Sequence, residues 1–248
     1  MIYLTGDLHG DLERFKSKEM KKLKKGDTLI VCGDFGFLWD GSKKEQSILK
    51  KLGRSKYQIL FVEGTHDNLD LIAQYPLEDW NGGKARHISG SLYKLERGSV
   101  FTLEGRRFFV FGGGESQEMD IRQADGTWWP QELPDERNFE EARTKLGSVG
   151  WKVDYVITHT APRACFRPRS IRRPAGITPP LIGLRHFSMS WKIAWTTSAG
   201  ITGISIGMPT RPSAIPCSTT ASFAWATNSS PGMLRRGGNS ENFIRYLG

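Results

Sequence analysis

Residues 1–10, Met1-Ile2-Tyr3-Leu4-Thr5-Gly6-Asp7-Leu8-His9-Gly10, decide how this chain is read. Ile2 to Thr5 has the apolar, β-branched character of a buried strand. The GDLHG that follows at 6–10 is a tight turn carrying a carboxylate and an imidazole. The same arrangement recurs three times downstream. GDFG (33–36) follows the apolar run Asp27 to Cys32, GTHDN (64–68) follows Gln58 to Val62, and THTAP (158–162) closes Val153 to Thr158.

Further strands are expected at Val100 to Leu103 and Arg107 to Phe111. Helical spacing is expected over Leu12 to Leu23, Lys43 to Leu52, Leu69 to Gln74 and Glu136 to Leu146. Strands alternating with helices predict an α/β fold with a largely parallel sheet. In open α/β sheets the loops at the carboxyl ends of strands converge on one edge, where ligands bind. The four loops therefore deliver Asp7, His9, Asp34, His66, Asp67 and His159 to one place. His87 stands in no such context and reads as a surface histidine.

Composition bounds the reading. No apolar run approaches the roughly 18 residues of a membrane span, and Met1 leads directly into a strand without the pattern of a signal peptide. A soluble, cytoplasmic protein is expected. Cys32, Cys165 and Cys217 match no zinc spacing, and three cysteines argue against a disulfide framework. The formal net charge is +9, which taken alone suggests a nucleic-acid partner. Residues 1–166, however, carry 25 basic and 25 acidic side chains, so the whole excess lies in 167–248. Lys16 to Lys25 holds six lysines, but Leu12, Phe15, Met20 and Leu23 thread through it at helical spacing, as in a solvated helix face. Residues 1–166 thus do not point to nucleic acid.

Carboxylates with imidazoles suit Mn, Fe, Zn or Co, and two such ions about 3.5–4 Å apart form the clamp used for in-line attack on phosphorus. The glycines before Asp7 and Asp34, and the one just ahead of Thr65 and His66, let the backbone turn and keep a side chain from crowding the site.

The ordered set GDLHG, GDFG, GTHDN and a lone histidine after a strand resembles the calcineurin-like metallophosphoesterases. That resemblance implies a sandwich of mixed β-sheets flanked by helices. It also implies hydrolysis of phosphate mono- or diesters with two divalent metal ions and a metal-bound hydroxide as nucleophile. By the same resemblance Asp7 and His9 are ligands of the first metal, Asp34 is the bridging carboxylate and His159 a ligand of the second metal. His66 protonates the leaving group, and Asp67 orients it.

Two departures bear on activity. Thr65 stands where the family has the Asn of GNH, and a threonine hydroxyl is a shorter and poorer metal donor than an amide oxygen. No GHxH follows His159, although that motif supplies one histidine to each metal in the family. Residues 167–240 contain no Asp or Glu in 74 positions, where about one residue in eight is ordinary. Their many Ile, Trp and Phe residues do not suit a disordered tail.

An out-of-frame reading explains this stretch. Thr202 to Gly207 can be written ACG GGC ATC TCC ATC GGA, and reading from the third base gives GGG CAT CTC CAT CGG, or Gly-His-Leu-His-Arg. The same shift turns Trp191 to Thr202 and Phe223 to Pro231 into sequences with ordinary acids. The expected division is a phosphoesterase domain over 1–166 and an aberrant basic segment over 167–248, with weak activity. Two other classes remain open at this point: an inactive metal- or phosphate-binding protein, and a nucleic-acid binder acting through its basic third. The loop Trp128-Trp129-Pro130 reads either as a wall of the substrate cleft or as a packed surface turn.

Overall fold

A computed structural model describes residues 1–116, 118–159 and the strand 245–247. In chain order the strands are β1 (Ile2–Thr5), β2 (Thr28–Cys32), β3 (Gln58–Val62), β4 (Leu77–Trp80), β5 (Gly83–Ser89), β6 (Leu92–Leu95), β7 (Val100–Leu103), β8 (Arg106–Phe111), β9 (Tyr155–Thr158) and β10 (Arg245–Leu247). The α-helices are α1 (Lys43–Gly53), α2 (Leu69–Ala73), α3 (Met119–Ala124) and α4 (Glu136–Ser148).

Two sheets form. The seven-stranded one has the order β10-β1-β2-β3-β6-β5-β4, and the three-stranded one β7-β8-β9. The strands β1, β2, β3 and β6 run parallel, while β5, β4 and β10 join antiparallel. Alternation along β2 shows how the layers are built. Ile30 and Cys32 point into the core between the sheets with Leu60, Val62, Phe108, Val110 and Ile157. Val31 points the other way, with Ile59 and Phe61, against Leu49 and Leu52 of α1 and Ile72 of α2. Phe109 and Phe111 on the far face of the smaller sheet meet Phe139, Ala142 and Leu146 of α4. A strand buried on both faces is predominantly apolar, as β2 is from Leu29 to Cys32. The result is the expected sandwich of mixed sheets flanked by helices.

Caps set the helix starts. Ser42 accepts the Glu45 amide at the head of α1, and Asp135 and Asn138 exchange hydrogen bonds at the head of α4. Cys32 is buried in the core, and burial, with the Asp7 charge adding to it, pushes its thiol up to about 12.

Three expectations are corrected. The helix expected over Leu12 to Leu23 is instead two short 3-10 turns, Leu12–Lys16 and Met20–Lys22. Ser17 is extended between them, and its hydroxyl accepts the Met20 amide, which starts the second turn afresh. The six lysines stay exposed, while Met20 and Leu23 pack on Leu29. Strands β4 to β6 were not expected at all. They extend the parallel core through a buried lysine, Lys94, whose charge hides the strand pattern. His87 lies on β5, half-buried and stacked on Tyr93.

The out-of-frame reading of 167–240 falls outside the described residues. Within the segment 167–248, Arg245–Leu247 pairs with β1 in the register Ile2↔Leu247 and covers its outer edge. No helix among the described residues is long and apolar enough to cross a membrane.

Candidate metal centre

The site is built where the parallel strands end. After β1 and β2 the two Gly-Asp loops run side by side: the Asp7 amide donates to the Gly33 carbonyl, His9 to Asp34 and Gly10 to Phe35. Arg14 braces the first loop from outside by donating to the Asp7 and Gly6 carbonyls at 2.7 and 3.3 Å. Asp7, His9 and Asp34 all have positive φ, at 45°, 47° and 50°. For residues other than glycine this conformation is disfavoured, and it persists where the surroundings impose it, typically at functional sites.

Asp34 is the centre of the arrangement. Its Oδ1 accepts the amides of Thr65 and His66 at 2.7 and 2.9 Å, tying the second loop to the third. Two groups of side chains share it, His9–Asp34–His66 and Asp7–Asp34–His159, each with its ligand atoms within 4.8 Å of one another. Burial alone would push the Asp34 carboxyl up. The hydrogen bond from His66 and the nearby charge of His159 outweigh burial and hold it well below the usual carboxylate range.

The donor set fits divalent metal. The Asp7 Oδ1 is buried without a hydrogen-bond partner, and such an orphan is costly unless a cation satisfies it. Burial pushes the Asp7 carboxyl up, against the pull of His159. His159 Nδ1 lies 3.1 Å from the Cys32 carbonyl. A carbonyl only accepts, so Nδ1 is the donor in that contact, and Nε2, 3.5 Å from Asp34 Oδ1, is the ring nitrogen turned toward the shared carboxylate. A backbone carbonyl fixing one nitrogen while the other faces the metal is the usual arrangement around ligating histidines.

The nearest side-chain contacts join residues from different loops. His9 faces His66, with ring centroids 5.1 Å apart, and its Nε2 is 3.6 Å from Asp34 Oδ2. Asp7 instead faces His159, with Asp7 Oδ1 3.9 Å from His159 Nδ1. Asp7 and His9, neighbours in one loop, thus fall in different groups around Asp34.

Asp67 also departs from its expected partner. It is fully buried, and its two oxygens accept the Gly36 and Gly64 amides, both at 2.8 Å. It therefore clamps the second loop to the third, and none of its described hydrogen bonds reaches His66. The His66 ring is held by Asp34 Oδ2 at 3.3 Å and Thr65 Oγ1 at 3.2 Å from Nδ1. Asp34 raises its pKa. Glu118, which the motifs did not single out, sits 3.8 Å from His66 Nε2. Its only sequence signal is a place in the Gly- and acid-rich run 112–120.

Two glycines show how little room the loops leave. A Cβ on Gly33, whose φ is 97°, would lie 2.1 Å from His159 Nδ1, and one on Gly64 would lie 2.1 Å from Asp34 Oδ1. We expect Gly64→Ala to push Asp34 aside, weakening Mn binding at least about tenfold and costing roughly 1–3 kcal/mol of stability. Calorimetric Mn titration and urea unfolding of the variant check both effects, and an unchanged Mn isotherm would contradict the packing described here.

No curated protein matches this chain in sequence. The family profile of the calcineurin-like phosphoesterases matches residues 1–176, past the boundary at 166 suggested by composition. The match takes in all four strand-end loops, and the family's enzymes are metal-dependent phosphoesterases. With the Asp and His groups gathered around Asp34, the chain belongs to the calcineurin-like phosphoesterases.

Proposed function

We propose that this centre binds two divalent cations on either side of Asp34 and hydrolyses a phosphate mono- or diester, weakly in the chain as it stands. The observation that carries the reading is one carboxylate shared by two ligand groups, with the Asp7 Oδ1 beside it lacking any donor. When bound, divalent cations here supply Lewis acidity, which acidifies water and neutralises charge on phosphoryl oxygens.

The chain's own residues do the rest. Asp34 would lower the repulsion between such cations, and Asp7, His9 and His159 would help to hold them. His66, with Nδ1 against Asp34 Oδ2 and Nε2 3.8 Å from Glu118, is the group that hands a proton from Nε2 to the departing alkoxide. Asp67 fixes the loop geometry through Gly36 and Gly64. Thr65 offers only a hydroxyl, already 3.2 Å from His66 Nδ1, and the sequence holds no GHxH. These two features favour unequal metal sites, and in the extreme a metal-binding protein without turnover. The nucleic-acid reading has no support from the described residues, since the excess charge lies in 167–248.

The full chain titrated with Mn should show one site clearly tighter than the other, and hydrolysis of bis-p-nitrophenyl phosphate should be feeble. Two equally tight sites would mean that further ligands complete the second one. Robust hydrolysis abolished by His66→Ala would refute the weakness, and absence of any Mn binding would sink the reading altogether.

A further inference from the structure

We propose that Trp39 and Trp129 form a stacking corner beside the centre, which takes the flat aromatic group of an aryl or nucleoside phosphoester. This rests on the phosphoesterase reading above for the phosphate half of the ligand only.

The two indoles meet at nearly a right angle, with ring planes 82° apart and centroids 5.5 Å apart. Such a corner offers a face for stacking and an edge for a T-shaped contact to the same flat ring. Trp39 is 36% exposed, so its surface is open to a ligand. The Trp39 backbone and the Trp129 ring are both held in place. The buried Glu45 carboxylate accepts the amides of Trp39, Asp40 and Gly41, and Asn68 donates to the Trp39 carbonyl at 2.8 Å. Trp129 Nε1 donates to Asp70 Oδ2 at 3.1 Å.

The loop carrying Trp129 is closed and internally clasped. Its base is pinned by the Gly114 amide donating to the Glu132 carbonyl at 3.0 Å. Its interior holds the buried Arg122–Glu132 pair, doubly bonded at 2.9 and 2.5 Å. The same loop brings Glu118 to His66. Asn68 and Asp70, which hold the corner, follow His66 by two and four residues, so the corner's anchors lie within about 14 Å of it along the chain. His66 is the proton donor to the leaving group in the proposed chemistry, which puts the corner on the leaving-group side. A preorganised corner adds affinity because little side-chain freedom is lost on binding.

The test uses the full chain and calorimetry with three probes: phenyl phosphate, inorganic phosphate and adenosine. With Mn present, phenyl phosphate should bind at least about tenfold tighter than inorganic phosphate. Trp39→Ala should erase that margin without changing affinity for Mn, which also reports that the variant is folded. Trp129→Phe, which keeps a ring but loses the bond to Asp70, should reduce the margin partway. Equal affinity for the two phosphates in the unaltered chain would overturn the proposal. So would a Trp39→Ala effect that weakens all probes alike, since the pair would then only hold the loop. Adenosine binding in the absence of Mn, lost in Trp39→Ala, supports the corner even if Mn fails to bind, an outcome that would sink the phosphoesterase reading alone.

Discussion

Replacing Asp34 with Asn should remove Mn binding at both of the proposed sites, lowering affinity by more than about 100-fold, above what loss of an outer-shell partner alone costs. Asp34 is the one side chain common to both ligand groups. On the proposed reading its removal takes away the negative charge that would lower repulsion between two cations, together with a ligand from each. The amide is chosen for a physical reason. Its carbonyl oxygen can still accept the Thr65 and His66 amides that Oδ1 accepts now, so the loops stay joined and the loss is one of charge. The thermal midpoint in chelator should accordingly stay close to that of the unaltered protein, while Mn no longer raises it. A calorimetric titration that still shows both sites in Asp34→Asn would mean that the carboxylate is not the shared ligand.

Breaking the buried ion cluster under the third loop should cost about 3–5 kcal/mol of folding stability, because it strands charge in the core. Glu63 directly follows β3, immediately before GTHDN, and is 2% exposed. Its oxygens meet Lys94 at 3.1 Å and Arg97 at 2.7 Å, and Lys94 also reaches Glu96 at 3.0 Å. Arg97 further donates to Asn138 and to the Gln131 carbonyl, tying the sheet to α4 and to the clasped loop. Arg97→Ala leaves Glu63 with one cation and frees those acceptors, and Glu63→Ala leaves two cations around an empty carboxylate site. Urea unfolding of each variant measures the loss, and a change under 1 kcal/mol would contradict this account.

The same cluster sets a pH dependence. Burial opposes the Glu63 charge, but Lys94 and Arg97 prevail and hold its carboxyl below the ordinary value. A depressed carboxyl contributes stability above its unfolded pKa of about 4.3, and that contribution is lost as pH falls through the folded value. Lys94 runs the opposite way: burial lowers its pKa, Glu63 and Glu96 raise it further, and the net shift is upward. Its contribution is present below about pH 10 and is lost above. Stability should therefore hold across the neutral range and fall at both ends, with the acid limb shallower in Glu63→Gln.

How much of this was legible in the sequence depends on whether the cause is local. Strands β1, β2, β3 and β9 could be read because each is an apolar run cut off by turn residues, and the parallel order then puts their loops on one edge. Strand β6 could not be read. Its Lys94 is buried with Glu63, which meets it across the fold, beside the neighbouring Glu96, and no short window of sequence contains the Glu63 pairing. The segment Leu12 to Lys22 shows the reverse failure, where helical spacing was present but Ser17 restarted the turn through its own hydroxyl.

The candidate centre divides along the same line. The sequence by itself determined which residues arrive at the sheet edge, because Gly-Asp, Gly-Thr-His-Asp and Thr-His are fixed by covalent adjacency to strand ends. Only the tertiary structure decided their company: Asp7 with His159, His9 with His66, Asp67 with two backbone amides, and Trp39 against Trp129. Side-chain direction at a strand end follows from the local φ, here positive at Asp7, His9 and Asp34, and from what the neighbouring loop leaves open. Both are set by packing between segments far apart in the chain.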